Sequence, residues 1–370
     1  MDRIRIELVG INNYRNYESQ SCALHPLITV FTGLNGAGKT SVLDAIYYLT
    51  NGKSYFSHRD LHLFKTDADF FRLFGKLSDS SGVHEITVTS SRKAKKQIKI
   101  DDKPIKSIIE YFGRFPSFMI APKDIQILIE SSVERRKVID KTLSQVDRKY
   151  FNHLVVYTKL LKQRNASIKA FRKQGRVDDL LLESINSNML EPAQYIFERR
   201  KEYISSILPF IADLYKELCN NRESLSVSYK SNLLDKTLDV LQKESRQKDM
   251  ILCKTTEGIH KDDLVIKLND IEIKKYGSQG QLKSAIIALK LSQIEWVKKN
   301  TEKIPILLLD DIFDKLDEQR VDSFISLCAN KLGAQILISD TNNERVISTL
   351  KKLDYPFLHY IIDDGIINKN

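Results

Sequence analysis

The sequence predicts an α/β protein with a mixed sheet, joined to a second, mainly helical lobe that carries a short helical arm. Three observations support this fold class. A glycine-rich loop lies between a strand-like run at residues 28–31 and a stretch with helical spacing. Apolar residues keep helical spacing from residue 131 to about residue 218. A continuous apolar run at residues 306–309, followed by two aspartates, is typical of a buried parallel strand.

The bulk composition limits the classes of partner and compartment. The 370 residues suffice for one large domain or for two lobes, each with its own core. The net charge of +10 predicts a polyanionic partner, either nucleic acid or anionic lipid. No apolar run approaches the ~18 residues of a membrane span, so we expect a cytoplasmic protein. The four cysteines are far apart without metal-ligand spacing, so we expect reduced, mostly buried thiols.

Strand-like alternation dominates the first hundred residues. Charged and apolar residues alternate over residues 2–8, which predicts an edge strand and not a secretory leader. The polar aromatic segment at residues 12–17, Asn-Asn-Tyr-Arg-Asn-Tyr, connects two predicted strands. Further strands are expected at residues 70–77, 83–89 and 97–100. The first lobe therefore begins as mixed α/β structure with an antiparallel attachment.

The glycine-rich loop has the spacing of a phosphate-binding loop: Gly, four residues, then Gly-Lys-Thr. The residues proposed to bind phosphate are Gly33, Leu34, Asn35, Gly36, Ala37, Gly38, Lys39, Thr40 and Ser41. Glycine lets the backbone approach a polyphosphate, and the helix that follows presents its positive end. Lys39 would reach the β- and γ-phosphates, and the Thr40 hydroxyl would bind Mg²⁺. The alternative is a glycine-rich turn that binds nothing. We disfavour it because a strand precedes the loop and an apolar helical face, closed by Gly52, follows it.

Two basic clusters are candidates for contact with nucleic acid, although a solvated charged surface explains each of them equally simply. The hairpin cluster, between two predicted strands, consists of Arg92, Lys93, Lys95, Lys96 and Lys99. The arm cluster, near the tip of the predicted helical hairpin, consists of Lys159, Lys162, Arg164, Lys169, Arg172, Lys173 and Arg176. The arm is short, because even ~45 residues of continuous helix span only ~68 Å.

A second informative stretch is Ser278, Gln279, Gly280 and Gln281, which precedes a run of residues with helical spacing. These residues are expected at an exposed helix start, with backbone donors directed outward. The alternative is that Ser278 is simply the N-cap of the helix.

A third stretch supplies acids. Asp310 and Asp311 end the apolar run at residues 306–309, where carboxylates beside a phosphate loop can hold the Mg²⁺ shell and orient an attacking water. We assign Asp310 to the metal and Asp311 as the candidate general base; the alternative is two acids that cap a strand. Another buried strand is expected at residues 335–339, and Asp340 and Thr341 follow it where a γ-phosphate sensor could lie.

The motifs together are typical of an ABC-type ATPase head, and their order along the chain resembles the RecF family of DNA-repair proteins. That family comprises short-armed relatives of SMC proteins. The resemblance runs nearly end to end. It rests on residues 13–17, 35–40, 122–124, 134–136 with Asp140, 258–263, 277–281 and 308–311.

The resemblance implies an ABC-type, SMC-like P-loop ATPase head that binds ATP and Mg²⁺ and hydrolyses ATP slowly. Residues 1–118 and 296–370 would form the ATPase lobe, and residues 119–295 the second lobe. Two protomers would share each ATP site in an ATP-dependent homodimer, with Ser278 of one contacting the γ-phosphate held by Lys39 of the other. The resemblance also implies binding to duplex DNA near single-strand gaps. The implied partners are RecO and RecR. With them, the protein would help RecA to displace single-strand binding protein.

The chain departs from the family pattern at several positions. An acid, Asp314, stands before the Leu316-Asp317 pair, where the family usually has Ser, and Asp340 interrupts a segment that is usually Thr-rich. Glu130 and Ser132 occupy places where Gly and Pro commonly precede the paired arginines.

Two other functions compete with DNA repair. One is the ATPase subunit of a membrane transporter, which would normally carry a histidine where Asp340 stands. The other is a P-loop kinase, which leaves the Ser278 motif unexplained. We expect no membrane partner.

Overall fold

The computed structural model describes residues 1–219, 223–313, 318–341 and 343–370. Within these ranges the strands are β1 Asp2–Arg3, β2 Arg5–Tyr14, β3 Tyr17–Ala23, β4 Ile28–Thr32, β5 Phe70–Asp79, β6 Gly82–Ser91, β7 Gln97–Ile100, β8 Lys103–Pro104, β9 Ser117–Ile120, β10 Leu225–Lys230, β11 Asp263–Leu268, β12 Ile271–Glu272, β13 Lys303–Ile304, β14 Ile306–Asp310, β15 Ile336–Asp340, β16 Phe357–Asp363 and β17 Ile366–Lys369. The helices are α1 Lys39–Asn51, α2 Ile108–Tyr111, α3 Gln126–Ile129, α4 Ser132–Val146, α5 Arg148–Gln174, α6 Asp179–Leu218, α7 Leu238–Leu252, α8 Ile273–Tyr276, α9 Gln279–Thr301, α10 Glu318–Ser326 and α11 Asn343–Lys352. Asp314, Leu316 and Asp317, singled out in the sequence, lie outside the described residues.

The chain divides into two compact units. The first unit comprises Met1–Asp124, Glu217–Asn220 and Ile287–Asn370, and the second comprises Ile125–Lys216 and Asn221–Ile286. The first unit contains two six-stranded sheets, whereas the second combines helices with the three-stranded sheet β10-β11-β12. The predicted α/β class with a mainly helical second part is confirmed.

The central sheet of the first unit brings the predicted site strands together. Its order is β17-β16-β4-β15-β14-β9, and every neighbouring pair is parallel except β16 with β17. In the register, Asp310 of β14 pairs with Ser339 of β15, and Asp340 of β15 pairs with Thr32 of β4. The carboxyl ends of these three strands therefore meet at one edge of the sheet, where open α/β sheets bind ligands.

The other six-stranded sheet is antiparallel, with the order β3-β2-β5-β6-β7-β8, and it confirms the predicted strands at residues 70–77, 83–89 and 97–100. The prediction of an edge strand over residues 2–8 is confirmed for β1, which pairs with β13 alone, but is wrong for β2, which pairs with both β3 and β5. Its alternation has another cause: Ile6 is buried on one face of the sheet while Glu7 is exposed on the other.

Helix α1, which follows the phosphate loop, contacts strands of both large sheets: β2, β5 and β6 of one, and β9, β14 and β15 of the other. All of its residues except Thr40 are buried, so the helix is enclosed on all sides and not only along the predicted apolar face. The buried polar residues are satisfied internally, as when Thr50 and Asn51 both bond to the Ser117 hydroxyl. The helix ends at Gly52, whose left-handed φ of 71° lets its N–H bond to the Tyr48 carbonyl.

The second unit contains the predicted helical hairpin arm. Helix α5 has 27 residues, about 40 Å at 1.5 Å per residue, and residues 175–178 join it to α6. Ile168 and Phe171 of α5 pack against Leu182 of α6. Arg164, which we placed in the arm cluster, is fully buried and bonds to Asp249, so its assignment to the exposed cluster is wrong.

The expectations drawn from composition concern thiols and membrane spans. All four cysteines are free; Cys22, Cys219 and Cys328 are buried, and Cys253 is partly exposed. This agrees with the expected reduced, mostly buried thiols. Within the described ranges, no helix combines the length and the apolar character that crossing a bilayer requires.

Candidate nucleotide-binding site

The loop between β4 and α1 has a backbone that requires glycine. Gly33, Gly36 and Gly38 have φ values of 146°, 85° and 121°, in the region that side chains rarely adopt. A Cβ atom on Gly33 would lie 2.2 Å from the carbonyl oxygen of Ile362. The backbone of β16 can therefore approach the loop this closely only because residue 33 is glycine. The predicted order of strand, glycine-rich loop and helix is confirmed.

Lys39, the first residue of α1, folds back over the loop. Its Nζ donates hydrogen bonds to the carbonyl oxygens of Gly33 and Leu34, both at 2.8 Å. Burial lowers the pKa of Lys39, while the nearby carboxylates of Asp311, Asp310 and Asp340 raise it by a smaller amount. The lysine thus has three acids within electrostatic reach.

Thr40, Asp310 and Ser339 form a hydrogen-bonded group at the edge of the central sheet. Thr40 Oγ1 donates to Asp310 Oδ1 at 2.8 Å, and Ser339 Oγ donates to the same oxygen at 2.6 Å. Burial raises the pKa of the Asp310 carboxyl, and the two hydroxyl hydrogen bonds oppose this rise. Hydroxyl and carboxylate oxygens are ligands that Mg²⁺ prefers, so the Thr40–Asp310 pair fits a magnesium ion.

Asp311 follows Asp310 and has a left-handed backbone with φ 46°. Its N–H donates to the Ser339 carbonyl at 3.0 Å. Its Oδ1 is buried and accepts no hydrogen bond from the described residues, which suits a group that binds a water or ligand. Across the described ranges, no set of three or more His, Cys, Asp or Glu side chains is arranged to hold a metal ion.

The polar aromatic segment at residues 12–17 supports the phosphate loop, a role that the sequence did not reveal. Asn16 Nδ2 donates to the Ala37 carbonyl at 2.9 Å, and Tyr17 OH donates to the Gly38 carbonyl at 3.0 Å. Both side chains would collide with a Cβ atom on Gly38, at 2.6 Å and 2.8 Å. The only signal in the sequence was the unusual run of Asn and Tyr between two strands.

Asp44 is a second functional candidate that sequence reasoning missed. This fully buried carboxylate of α1 accepts hydrogen bonds from Tyr14 OH at 2.8 Å, Arg15 Nη2 at 2.6 Å, Ser54 Oγ at 2.7 Å and Tyr55 N at 2.7 Å. These four hydrogen bonds attach α1, the helix that follows the phosphate loop, to two separate segments, residues 14–15 and residues 54–55. A single Asp in a helix carries no pattern that predicts this.

The cations of the hairpin cluster differ in whether their side chains form internal hydrogen bonds. Lys96 Nζ donates to Gly52 O at 2.7 Å and to Tyr48 OH at 3.0 Å, and Arg92 Nε donates to Ala68 O at 3.0 Å. These two side chains have internal partners, which the sequence did not reveal. Lys93 and Lys95 are exposed.

In the second unit, Ser278 and Gln281 form a capping box at the start of α9. Ser278 Oγ accepts from Gln281 N at 3.3 Å, while Ser278 N donates to Gln281 Oε1 at 2.8 Å. The N-cap interpretation of Ser278 is therefore confirmed as geometry. Ser278 and Gln279 are exposed, as expected, so capping leaves this helix start accessible.

Two of the motifs that carry the family resemblance contact each other in the second unit. They are residues 134–136 with Asp140, and residues 258–263. Arg135 forms two hydrogen bonds with Asp263, at 2.6 and 3.1 Å. The buried Arg200, which sequence reasoning missed, pairs with both Asp140 and Asp262 at 2.8 Å. Because each buried charge has a partner, these motifs form a structural framework.

His260 lies in the same framework. Its Nδ1 is 2.9 Å from Tyr157 OH, and its Nε2 is 3.1 Å from the Thr255 carbonyl. Since a carbonyl only accepts, Nε2 carries the proton and Nδ1 accepts from the tyrosine. Burial lowers the pKa of His260 from 6.5 to about 4, so the ring is neutral at pH 7.

Comparison with known proteins identifies the family. The model of the RecF/RecN/SMC N-terminal domain matches residues 5–354. The DNA replication and repair protein RecF of Cytophaga hutchinsonii is 36% identical over 365 residues, which cover 99% of this chain and 97% of that protein. The RecF protein of Flavobacterium johnsoniae is 37% identical over 348 residues, covering 94% and 97%. The chain belongs to the RecF family.

Solved structures agree with membership of the RecF family. The recombination mediator protein RecF with ATP, of the RecFOR pathway, matches with a TM-score of 0.88 at 28% identity, covering 99% of this chain and 98% of that chain. The Smc head of Pyrococcus furiosus matches with a TM-score of 0.58 at 14% identity, covering 99% and 96%, and shows the fold alone. The RecF resemblance inferred from the motifs is confirmed, and the chain belongs with SMC-like ATPases of DNA replication and repair.

Proposed function

We propose that this protein is an ATP-dependent DNA-binding protein of recombinational repair with weak ATPase activity. The observation that carries the proposal is the meeting of Lys39, Thr40 and Asp310 where the phosphate loop adjoins the central sheet. Further support comes from the solved RecF relative described with ATP. We assign residues 1–118 and 296–370 to the ATPase lobe.

In nucleotide binding, residues 33–41 cradle the triphosphate with backbone N–H groups at the start of α1. Lys39 exchanges its bonds to the Gly33 and Leu34 carbonyls for phosphate oxygens. Thr40 and Asp310 would hold Mg²⁺, which supplies charge neutralisation at the β- and γ-phosphates when bound. The exchange costs little desolvation, because the ammonium group is already partly withdrawn from water.

In hydrolysis, Asp311 orients the attacking water and accepts its proton. Its buried Oδ1 lacks a hydrogen bond from the described residues, so it can take up a water without breaking an existing contact. The Asp311 N–H donates a hydrogen bond to the Ser339 carbonyl, which holds the Asp311 backbone in place. This restraint keeps the carboxylate near the phosphate loop, where proton transfer requires close approach.

We further propose that ATP closes a homodimer in which each site is shared. Ser278, Gln279, Gly280 and Gln281 would contact the triphosphate held by the phosphate loop of the other protomer. The exposed start of α9 supports this role, because the positive end of the helix dipole favours an anion. The capping box orders this segment before the partner arrives.

The dimer would close on duplex DNA near single-strand gaps and would act with RecO and RecR to help RecA loading in the cytoplasm. The net charge of +10 and the RecFOR pathway named for the solved relative support these partners. Lys93 and Lys95 of the hairpin cluster, and Lys169, Arg172 and Lys173 of the arm cluster, are exposed and available to phosphates.

The direct test is Lys39→Ala, measured by equilibrium binding of a fluorescent ATP analogue with Mg²⁺. We expect affinity to fall about 100-fold or more, since Lys39 is the cation that bonds to the carbonyl groups of this loop and would bind the phosphates. Lys76→Ala, which removes an exposed lysine paired with Glu85, is the matched control. Unchanged affinity in Lys39→Ala would refute the assignment of the phosphate loop.

A further inference from the structure

Two very exposed apolar residues lie beside the two halves of the proposed ATP site. Among the described residues, four large apolar residues are more than three-quarters exposed: Met1, Leu34, Leu180 and Tyr276. Leu34 belongs to the phosphate loop, and Tyr276 precedes Ser278 by two positions. Single exposed apolar residues are ordinary on protein surfaces, so exposure alone assigns no role. The positions of Leu34 and Tyr276 beside the site distinguish them from the other two.

The backbone of Tyr276 is fixed relative to the start of α9. Tyr276 ends α8, a helix whose first residue, Ile273, is buried. The Gly277 N–H donates to the Ile273 carbonyl at 2.9 Å, and a Cβ atom on Gly277 would lie 2.8 Å from that carbonyl oxygen. Ser278 then begins the capping box with Gln281. An ordered segment therefore presents Tyr276 to solvent, which lowers the entropy cost of binding a partner.

Leu34 lies close to the position proposed for the γ-phosphate. Its carbonyl oxygen accepts a 2.8 Å hydrogen bond from Lys39 Nζ, the group proposed to bind the β- and γ-phosphates. Leu34 is 80% exposed, and Tyr276 is 78% exposed. The phosphate loop therefore keeps an apolar residue in solvent next to the lysine that would bind the phosphates.

In the shared site, Leu34 and Tyr276 would approach the same phosphate from different protomers. Ser278 of one protomer would contact the γ-phosphate that Lys39 of the other holds. Tyr276 is two positions from Ser278, so their Cα atoms are at most about 7 Å apart. Leu34 of one protomer and Tyr276 of its partner would then both fall within the interface around that phosphate.

We propose that Leu34 of one protomer packs against Tyr276 of its partner when ATP closes the dimer. The inference rests on the proposed shared site and deepens it by naming an apolar contact between two copies of this chain. A two-fold axis creates the contact twice, once at each ATP site. Closure removes the leucine and the tyrosine ring from water. The contact therefore stabilises the closed dimer and not the nucleotide-bound monomer.

The test is a double-mutant cycle on dimerisation of the full-length chain, measured by sedimentation velocity at saturating AMP-PNP and Mg²⁺. Saturation keeps any change in nucleotide affinity out of the dimerisation constant. We expect Leu34→Ala and Tyr276→Ala each to weaken dimerisation about 100-fold, because losses of about tenfold at each of two contacts multiply. The double variant should lie within about threefold of either single variant, since its second truncation removes a side chain whose partner is already absent.

Two variants serve as matched controls. Leu180→Ala makes the same truncation at a leucine that is also 80% exposed but lies in the first turn of α6. It should leave dimerisation unchanged. Tyr276→Phe keeps the ring and removes only the hydroxyl, so it should dimerise as the wild type does.

Cross-linking tests the proximity of the two residues independently of the energy of their contact. Leu34→Cys and Tyr276→Cys chains are mixed and treated with a short bis-maleimide. Both chains carry Cys253→Ser, because Cys253 is partly exposed. We expect a covalent dimer from the mixture with AMP-PNP, and none without nucleotide or from either chain alone.

The outcomes separate this inference from the proposed function. Additive losses in the cycle would overturn the contact and leave the shared site intact. The same holds if a mixture that forms AMP-PNP-dependent dimers gives no cross-link. Wild-type chains that bind AMP-PNP without forming dimers would instead overturn the shared site itself.

Discussion

Thr40 Oγ1 donates a 2.8 Å hydrogen bond to Asp310 Oδ1, although 270 positions separate the two residues in the chain. The bond joins the first turn of α1 to the carboxyl end of β14. It places a hydroxyl and a carboxylate next to each other at the position proposed for the metal ion. The oxygen ligands are therefore arranged by the fold itself.

Thr40→Val removes this hydroxyl and keeps the side-chain shape. We expect affinity for an ATP analogue in Mg²⁺ to fall about tenfold, because one oxygen ligand is lost, with little change in EDTA. Thr40→Ser, the control, retains the hydroxyl and should bind as the wild type does. Equal losses with and without Mg²⁺ would show that Thr40 acts on the loop and not on the metal.

Ser278→Arg and Asp311→Asn should separate dimer closure from hydrolysis. The arginine places bulk at the exposed start of α9, so we expect ATP to bind but dimers to be absent in light scattering. The amide keeps the shape of Asp311 and removes the proton acceptor, so ATP-dependent dimers should persist while hydrolysis slows about 100-fold or more.

Mixing experiments provide the control for a shared site. Lys39→Ala and Ser278→Arg chains, combined, can assemble at most one complete site per dimer. If Ser278→Arg alone dimerises with ATP as readily as the wild type, the shared site is wrong. Ser278 would then serve only as the helix cap observed in its hydrogen bonds with Gln281.

Salt dependence can locate the DNA surface. Neutralising Lys93 and Lys95, or Lys169 and Lys173, should flatten the slope of log affinity against log salt on duplex DNA. Each lost phosphate contact reduces it by about 0.9. Lys76→Ala should leave the slope unchanged. A cluster whose removal does not alter the slope is a solvated surface.

His260 predicts a pH dependence of stability. Its pKa lies at about 4 because the neutral ring is buried, below the ordinary 6.5 of the unfolded chain. The unfolded chain therefore binds the proton first, so the stabilisation is complete above pH 6.5 and is lost as the pH falls towards 4. We expect the loss to be roughly 2–3 kcal/mol in urea unfolding of the full chain.

His260→Gln should remove the contribution of His260 to the free energy of unfolding. The stability of this variant should therefore change less with pH than that of the wild type. His58→Gln is the matched control, because His58 is exposed. Parallel pH profiles for wild type and His260→Gln would contradict a neutral, buried His260.

The sequence by itself determined the elements whose signal is local. The spacing of Gly33, Gly38 and Lys39 predicted the phosphate loop, because tight approach to phosphate demands glycine at fixed places. The apolar run before Asp310 predicted the buried strand β14, since strands covered on both faces are continuously apolar. Helical spacing predicted the arm, because apolar residues on one face of a helix recur every three or four positions.

Only the tertiary structure decided which distant groups meet. Asp44 accepts hydrogen bonds from Tyr14, Arg15, Ser54 and Tyr55. Arg164, which the sequence placed in the exposed arm cluster, pairs instead with the buried Asp249. Nothing local marks these residues, because periodicity reports the apolar face of an element but not what packs against it. A buried charge is stable only beside its partner, and folding alone brings that partner within reach.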